Sequence, residues 1–167
     1  MEILVVSDTH GRTSRLAEVL ERTKADTLLF LGAGLRALSV VPGGIAVYAV
    51  RGNCDFMGFD TPDARLEIFD TYRVFMTHGH RYSVKYDLSA AICAAAERNA
   101  DVLLYGHTHA PLERTLPVGD TVGGVTLQKP LLVLCPGSLG DPRNGSPTFG
   151  RLMISKSGIL TGLGNLC

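Results

Sequence analysis

The chain has 167 residues, 46% of them hydrophobic and 19% charged. That is enough apolar surface to bury a core and too much for a disordered chain. Sixteen basic residues balance sixteen acidic ones, Trp is absent and aromatics make up 7%, so the basic excess and the broad stacking surface of a nucleic-acid binder are both missing.

No apolar run reaches the ~20 residues needed to cross a bilayer. Residues 1–7 carry no basic leader, which argues against a signal peptide. The expectation is a soluble cytoplasmic protein, residues 1–167 forming one domain, with no membrane partner. Residues 2–7 (EILVVS) read as a buried strand. Residues 13–24 follow with Leu16, Val19, Leu20 and Thr23 at helical spacing. Residues 27–31 (TLLFL) and 45–50 (IAVYAV) read as further buried strands. A short helical segment and the turn chemistry of Pro42-Gly43-Gly44 separate them. Strand, helix, strand, helical segment, strand predicts a parallel sheet with helical crossovers.

The second half changes character. Residues 64–69 and 72–77 look like adjacent strands around Asp70-Thr71. Residues 86–99 are Ala-rich, with Leu88, Ala91, Ile92 and Ala95 on one helical face. Residues 102–105 form another buried strand. Segments 112–116, 124–127, 131–135 and 148–155 are strand-like, separated by Gly and Pro, and read as more antiparallel. Beyond Gly158 the pattern yields only a turn and a short tail. The fold expected is α/β, a four-layer α/β/β/α sandwich of two mixed sheets flanked by helices.

The four cysteines, Cys54, Cys93, Cys135 and Cys167, form no CxxC pair and are read as free thiols. The histidines say more. All five lie in three short motifs, Asp8-Thr9-His10, His78-Gly79-His80 and His107-Thr108-His109, each just after an apolar strand. In extended backbone, residues i and i+2 point the same way, so each pair would aim two side chains at one point. Strand C-termini are also where parallel sheets place ligands. A carboxylate with several imidazoles suits Mn, Fe, Zn, Ni or Co better than Ca or Mg. Arg51-Gly52-Asn53-Cys54-Asp55 follows the 45–50 strand. Alone it reads as a turn; in this company Asn53 is a candidate amide-oxygen ligand.

These residues resemble the metallophosphoesterase (calcineurin-like) superfamily, whose blocks run D-x-H, G-D, G-N-[HCN]-[DE], G-H and G-H-x-H. Here they read Asp8-Thr9-His10, Gly32-Ala33, Gly52-Asn53-Cys54-Asp55, His78-Gly79-His80 and Gly106-His107-Thr108-His109. The Cys54 variant, together with Pro136-Gly137-Ser138 and Pro142-Arg143, looks like the small bacterial and archaeal phosphodiesterase branch. The resemblance implies up to two divalent transition metals per chain, Mn first, with Ni, Co, Zn or Fe as alternatives. Asp8, His10 and His109 would hold one, and Asn53, His78 and His107 the other. It implies hydrolysis of a small phosphoester, most simply a phosphodiester, by a hydroxide generated at the metals. His80, Cys54 and Arg143 would assist catalysis. His80 would either contact substrate or complete a metal shell, and Arg143 or Arg36 would hold a phosphate oxygen. The oligomeric state stays open, with a homo-oligomer among the arrangements that small folds of this kind adopt.

Two departures bear on that reading. Ala33 stands where the superfamily has a bridging carboxylate, and no acidic residue lies between Asp26 and Asp55 to replace it. Occupancy of one site, the rate, or both should fall. Cys54 stands where many relatives carry a catalytic His, and a neutral thiol is the poorer acid. Cys135 precedes Pro-Gly-Ser where Asn is common, and reads as a buried small residue ending a strand. Two other readings stay open: a non-catalytic scaffold on the same fold, as in the retromer subunit, and a mononuclear metal-binding hydrolase.

Overall fold

The computed structural model describes residues 1–166. Twelve strands and two α-helices are laid out along the described residues. They run β1 (Glu2–Val6), α1 (Thr13–Thr23), β2 (Thr27–Phe30), β3 (Ala46–Ala49), β4 (Ala64–Phe69) and β5 (Tyr72–Thr77). Then come α2 (Ser89–Glu97), β6 (Val102–Leu104), β7 (Leu112–Leu116), β8 (Thr121–Val122), β9 (Val125–Thr126), β10 (Leu131–Cys135), β11 (Thr148–Ser155) and β12 (Gly158–Asn165). Single 3-10 turns occupy Leu35–Val40 and His80–Tyr82.

The strands form two five-stranded sheets, in the orders β12-β11-β1-β2-β3 and β4-β5-β6-β10-β7. In the first, β1, β2 and β3 are parallel, and β11 and β12 add antiparallel strands. In the second, β5, β6 and β10 are parallel, with antiparallel β4 and β7 at the edges. Both sheets are mixed and helices flank them, as the sequence predicts.

The layering follows from alternation along strands buried on both faces. Ile3, Val5, Leu29 and Leu31 turn inward to meet Val74, Met76, Val102, Leu104 and Leu134 of the other sheet. Their neighbours Leu4, Val6, Leu28 and Phe30 turn outward and pack under Leu16, Val19 and Leu20 of α1. On the far side Phe75, Leu103 and Val133 pack under Ala91, Ile92 and Ala95 of α2. Three apolar clusters thus separate four layers.

Four expectations need correction. The strand read as buried at 45–50 is β3, an edge strand whose Ala46 and Val47 are exposed. The helix read at 86–99 is shorter: Ser83 takes a left-handed backbone, turns fill the approach, and Asp87 accepts the Ser89 N–H to start the helix at Ser89. The strand read at 124–127 is half of the β8-β9 hairpin, turned at Gly123-Gly124. The stretch read as a short tail is β12, an edge strand whose eight residues pair one for one with β11. Its three glycines depress strand propensity, and the pairing partner overrides them. At Gly164 the Phe149 ring fills the space a side chain would take.

No helix among the described residues is long and apolar enough to cross a membrane. Leu104 is fully buried between the sheets. Leu104→Ala should cost about 2–5 kcal/mol, read as a lower midpoint in guanidinium unfolding with an unchanged slope.

Candidate metal centre

All three histidine motifs, the Gly32-Ala33 turn and Asn53 lie just beyond the C-terminal ends of parallel strands: β1, β2 and β3 in one sheet, β5 and β6 in the other. The two sheets therefore present their loops to one spot. The local geometry is not the extended one that sequence reasoning assumed. Asp8, His10, Ala33, His107 and His109 all have positive φ, at 55, 43, 61, 70 and 58°. Left-handed backbone is costly for side-chain-bearing residues. Five such residues in one cluster place the strain at the site.

That strain is held by hydrogen bonds. Ser138, fully buried, donates its hydroxyl to the Asp8 carbonyl at 2.7 Å and accepts the Asp141 N–H at 2.8 Å. The Gly140 N–H reaches the same Asp8 carbonyl at 2.8 Å. Arg15 from α1 donates to the Leu139 and Gly140 carbonyls. On the other side, the Asp55 carboxylate accepts four backbone N–H groups, from Ala33, Gly34, Leu35 and Gly52, at 2.7–3.0 Å. Burial alone would raise the Asp55 pKa, and these four donors outweigh it and hold the carboxyl below its ordinary range. Asp55 therefore comes close to Ala33 yet is occupied by backbone, and does not replace the missing bridging carboxylate.

Asp8 is the centre of the site, and its two carboxylate oxygens differ. Oδ2 accepts the Ser7 hydroxyl at 2.6 Å and the His107 N–H at 3.0 Å. The second bond needs Gly106, where a Cβ would come within 2.0 Å of the Ser7 hydroxyl oxygen. Oδ1 is buried and has no hydrogen-bond partner. Around it stand three imidazole Nε2 atoms: His109 at 3.2 Å, His10 at 3.6 Å and His78 at 3.8 Å. His78 and His109 each direct Nδ1 at a carbonyl, of Leu31 and Asp141, at 2.7 Å. A carbonyl only accepts, so Nδ1 carries the proton and the Nε2 of the neutral ring is a lone pair. Lone pairs thus face a carboxylate oxygen, an arrangement completed by a cation or a proton.

The proton affinities describe the second of these, a proton shared between Asp8 and its imidazoles. Burial pushes Asp8 up, but the His10 and His109 contacts and the nearby His78 overcome it and hold its carboxyl well below the usual range. Asp8 in turn raises His109. His78 and His80 are lowered chiefly by burial, and His107 is lowered to about 4 by burial, then His78 and Lys85. His78 and His107, both lowered, and the ionised Asp8 are already in the states a dication requires of its ligands, and the raised His109 would give up its extra proton on binding one.

The residues read from sequence as metal ligands fall into two adjoining sets. Asp8, His10 and His109 bring ligand atoms within 4.8 Å of one another. Across His78 lies the second set: Asn53 Oδ1 is 3.1 Å from His78 Nε2, and the His107 ring centroid is 5.0 Å from that of His78. His80 stacks beside both, 5.5 Å from His78 and 6.2 Å from His107, with Nδ1 buried and unpaired. Both sets fit a divalent cation by donor chemistry, with Asp8 reaching each.

Two cavities adjoin the cluster. One, of about 680 Å³, is lined by His10, Ala33, Cys54 and the Arg36 segment. The other, of about 380 Å³, is lined by His107, His109, Lys85 and Arg143. The structure thus places Cys54 and Arg36 on one side of the centre and Arg143 on the other. Cys135 is fully buried against Thr108, as read. Cys54, Cys93 and Cys135 are free, and Cys167 lies outside the described residues. Sequence reasoning missed Lys85, which carried no motif, and the supporting work of Asp55 and Ser138, which the Asn53-Cys54-Asp55 and Pro136-Gly137-Ser138 runs hinted at.

Residues 1–157 match the calcineurin-like phosphoesterase superfamily domain. Phosphodiesterase YfcE of Escherichia coli (strain K12) is 30% identical over 179 residues, covering 91% of this chain and 87% of that one. The crystal structure of a predicted phosphoesterase from Streptococcus pneumoniae TIGR4 superposes with a TM-score of 0.75 at 26% identity, covering 98% of this chain and 88% of that one. A single-mutant Vps29 of Entamoeba histolytica superposes with a TM-score of 0.71 at 21% identity, covering 100% of both chains, a likeness of fold alone.

Asp55→Ala leaves four N–H groups without their acceptor, and should cost about 1–3 kcal/mol in urea unfolding. Because the folded carboxyl is depressed, its contribution is present above its unfolded pKa and lost as pH falls through the folded one. The gap between wild type and variant should therefore close in acid. The buried Cys135 thiol is pushed up to about 11. In native alkylation mapped by mass spectrometry, exposed Cys54 should label at pH 8 and Cys135 only after unfolding.

Proposed function

The chain belongs to the calcineurin-like phosphoesterase superfamily, and on that premise we propose that it is a divalent-metal-dependent phosphodiesterase acting on small phosphoesters. The observation that carries this reading is the unpaired Asp8 Oδ1, buried among three Nε2 atoms at 3.2–3.8 Å. Asp8, His10 and His109 would hold one cation, and Asn53, His78 and His107 a second. The carboxylate and imidazole donors suit Mn, Fe, Zn, Ni or Co, and the family resemblance puts Mn first. Bound there, a dication polarises phosphoryl oxygens and lowers the pKa of water.

The chain's own groups do the rest. The Leu31 and Asp141 carbonyls fix the tautomers of His78 and His109, so both rings keep Nε2 available. Burial keeps His80 below its ordinary pKa, so at neutral pH it offers an uncharged ring that accepts a hydrogen bond or, transiently, a proton. Arg143 supplies a guanidinium on the wall shared with His107 and His109, suited to a phosphate oxygen. Cys54 stands on the opposite wall and faces an ester arm. In the reaction, a water oxygen bonds to phosphorus as one ester P–O bond breaks. One water proton goes to a base and the leaving oxygen takes up a proton, giving an alcohol and a monoester.

Ala33 supports a second reading. Asp8 is the one carboxylate among the six matched ligands, so the centre is poor in negative charge. That favours a scaffold, or a centre with one metal at the compact Asp8, His10 and His109 set. The retained convergence of all five histidines favours the enzyme.

With Mn²⁺, the protein should hydrolyse bis(p-nitrophenyl) phosphate, and Asp8→Asn or His107→Ala should reduce turnover at least a hundredfold while the fold persists by circular dichroism. Ala33→Asp, entering a left-handed position that Asp tolerates better than Ala, should raise turnover at least tenfold and metal content towards two per chain. Absence of turnover from both wild type and Ala33→Asp with Mn, Ni, Co and Zn would move the scaffold to first place.

A further inference from the structure

The two cavities beside the centre are chemically unlike, and they meet at it. His10 lines the larger and His109 the smaller, and their Nε2 atoms are 3.2 Å apart. A phosphodiester seated at the centre has two ester arms to place, and the protein offers one recess on each side.

The larger recess, about 680 Å³, is of the size that takes small-molecule ligands. Leu35, Leu38, Phe56 and Met57 give it an apolar lining. Phe56 and Met57 are 78% and 80% exposed, large apolar side chains standing in water directly beside a polar centre. Such exposure near a site marks a surface that awaits an apolar contact. The root of this wall is fixed, because three N–H bonds to Asp55, from Ala33, Gly34 and Leu35, tie the loop carrying Phe56 to the turn after β2. Its charges offset each other: Arg36 stands with Asp60, and Asp55 is spent on backbone.

The smaller recess, about 380 Å³, carries Lys85 and Arg143 against the single carboxylate of Asp141. Asp141 is turned to His109, its Oδ2 3.6 Å from Nδ1. Lys85 shares this recess with His107. This side is cationic, and its Arg143 backbone is tied to the centre through an N–H bond to the His109 carbonyl at 3.1 Å. Two cations are more than a singly charged phosphodiester at the centre calls for.

We propose that the substrate is a small phosphodiester with two unlike arms, one flat and aromatic, seated on Leu35, Leu38, Phe56 and Met57, and one bearing a second phosphate, seated on Lys85 and Arg143. This rests on the phosphodiesterase reading and specifies its substrate class. The aromatic arm stacks on apolar and sulfur-bearing side chains. The second phosphate is recognised by the ammonium and guanidinium pair.

The probes are thymidine 5′-(p-nitrophenyl phosphate) and the same compound with a 3′-phosphate, both releasing p-nitrophenol from Mn-loaded protein. The 3′-phosphorylated compound should show a KM at least tenfold lower. Lys85→Ala/Arg143→Ala should bring the two KM values to within twofold of each other. Phe56→Ala/Met57→Ala should raise both KM values at least fivefold while leaving inhibition by inorganic phosphate unchanged. Calorimetry with thymidine 3′,5′-bisphosphate against thymidine 5′-monophosphate reads the same preference without turnover. Hydrolysis with equal KM values and equal affinities would overturn the two-arm proposal and leave the phosphodiesterase standing. A binding preference that Lys85→Ala/Arg143→Ala abolishes, with no hydrolysis of any diester, would overturn the phosphodiesterase and leave the recognition in place. Loss of both would overturn both.

Discussion

Everything at this site depends on one buried oxygen. Asp8 Oδ1 sits inside the protein without a hydrogen bond, a state that ordinarily costs free energy because the charge has lost its water and gained no donor. Its sister Oδ2 is fully engaged by Ser7 and His107, so the carboxylate cannot rotate to share the deficit. The nearest polar atoms are imidazole nitrogens, two of them with lone pairs turned inward by their Nδ1 bonds. Acceptors grouped around an acceptor are unstable as a purely structural motif. They make sense as a coordination shell.

The rest of the fold can be understood as the support of that shell. Two sheets facing each other bring loops from five parallel strands to one edge. The loops then leave their strands through left-handed residues at Asp8, His10, Ala33, His107 and His109. Such backbone persists only where its surroundings over-determine it. Ser138 and Gly140 grip the Asp8 carbonyl from one side. From the other side Asp55 gathers four amides across the β2 and β3 loops. These groups touch no cation, yet they decide where the cation's ligands point.

Much of this was legible in the sequence, for identifiable reasons. Strands buried on both faces write themselves as unbroken apolar runs, so residues 2–6, 27–30 and 131–135 were readable at once, and the sandwich followed from their order. The histidines were readable because all five sit in three motifs at strand ends. Extended backbone does not aim Asp8 and His10 at one point; left-handed turns do, and no local pattern announces a positive φ at Asp or His. The strand β12 was hidden because its order comes from pairing with β11 rather than from its own Gly-rich propensity. Lys85 was hidden because it reaches the site through folding, from the turn before α2, and brings no motif with it.

Composition misleads in a similar way, and the reason is local. The chain as a whole is neutral, which is a statement about long-range fields. Within the site the sum differs. Asp8 is the one carboxylate among the six matched ligands, Asp55 is consumed by backbone, and Asp141 is turned to His109. Lys85 and Arg143 stand on the adjoining wall. Add one or two dications and the centre carries a positive charge that the protein does not neutralise. Lys85 and Arg143 are exposed, so solvent screens each of them, and an anion entering this cleft is drawn by their sum with the centre rather than by one pair. Ala33 sharpens that asymmetry: where a second carboxylate would supply negative charge from the protein, Ala supplies none, and in the proposed reaction the substrate's own phosphate would supply it.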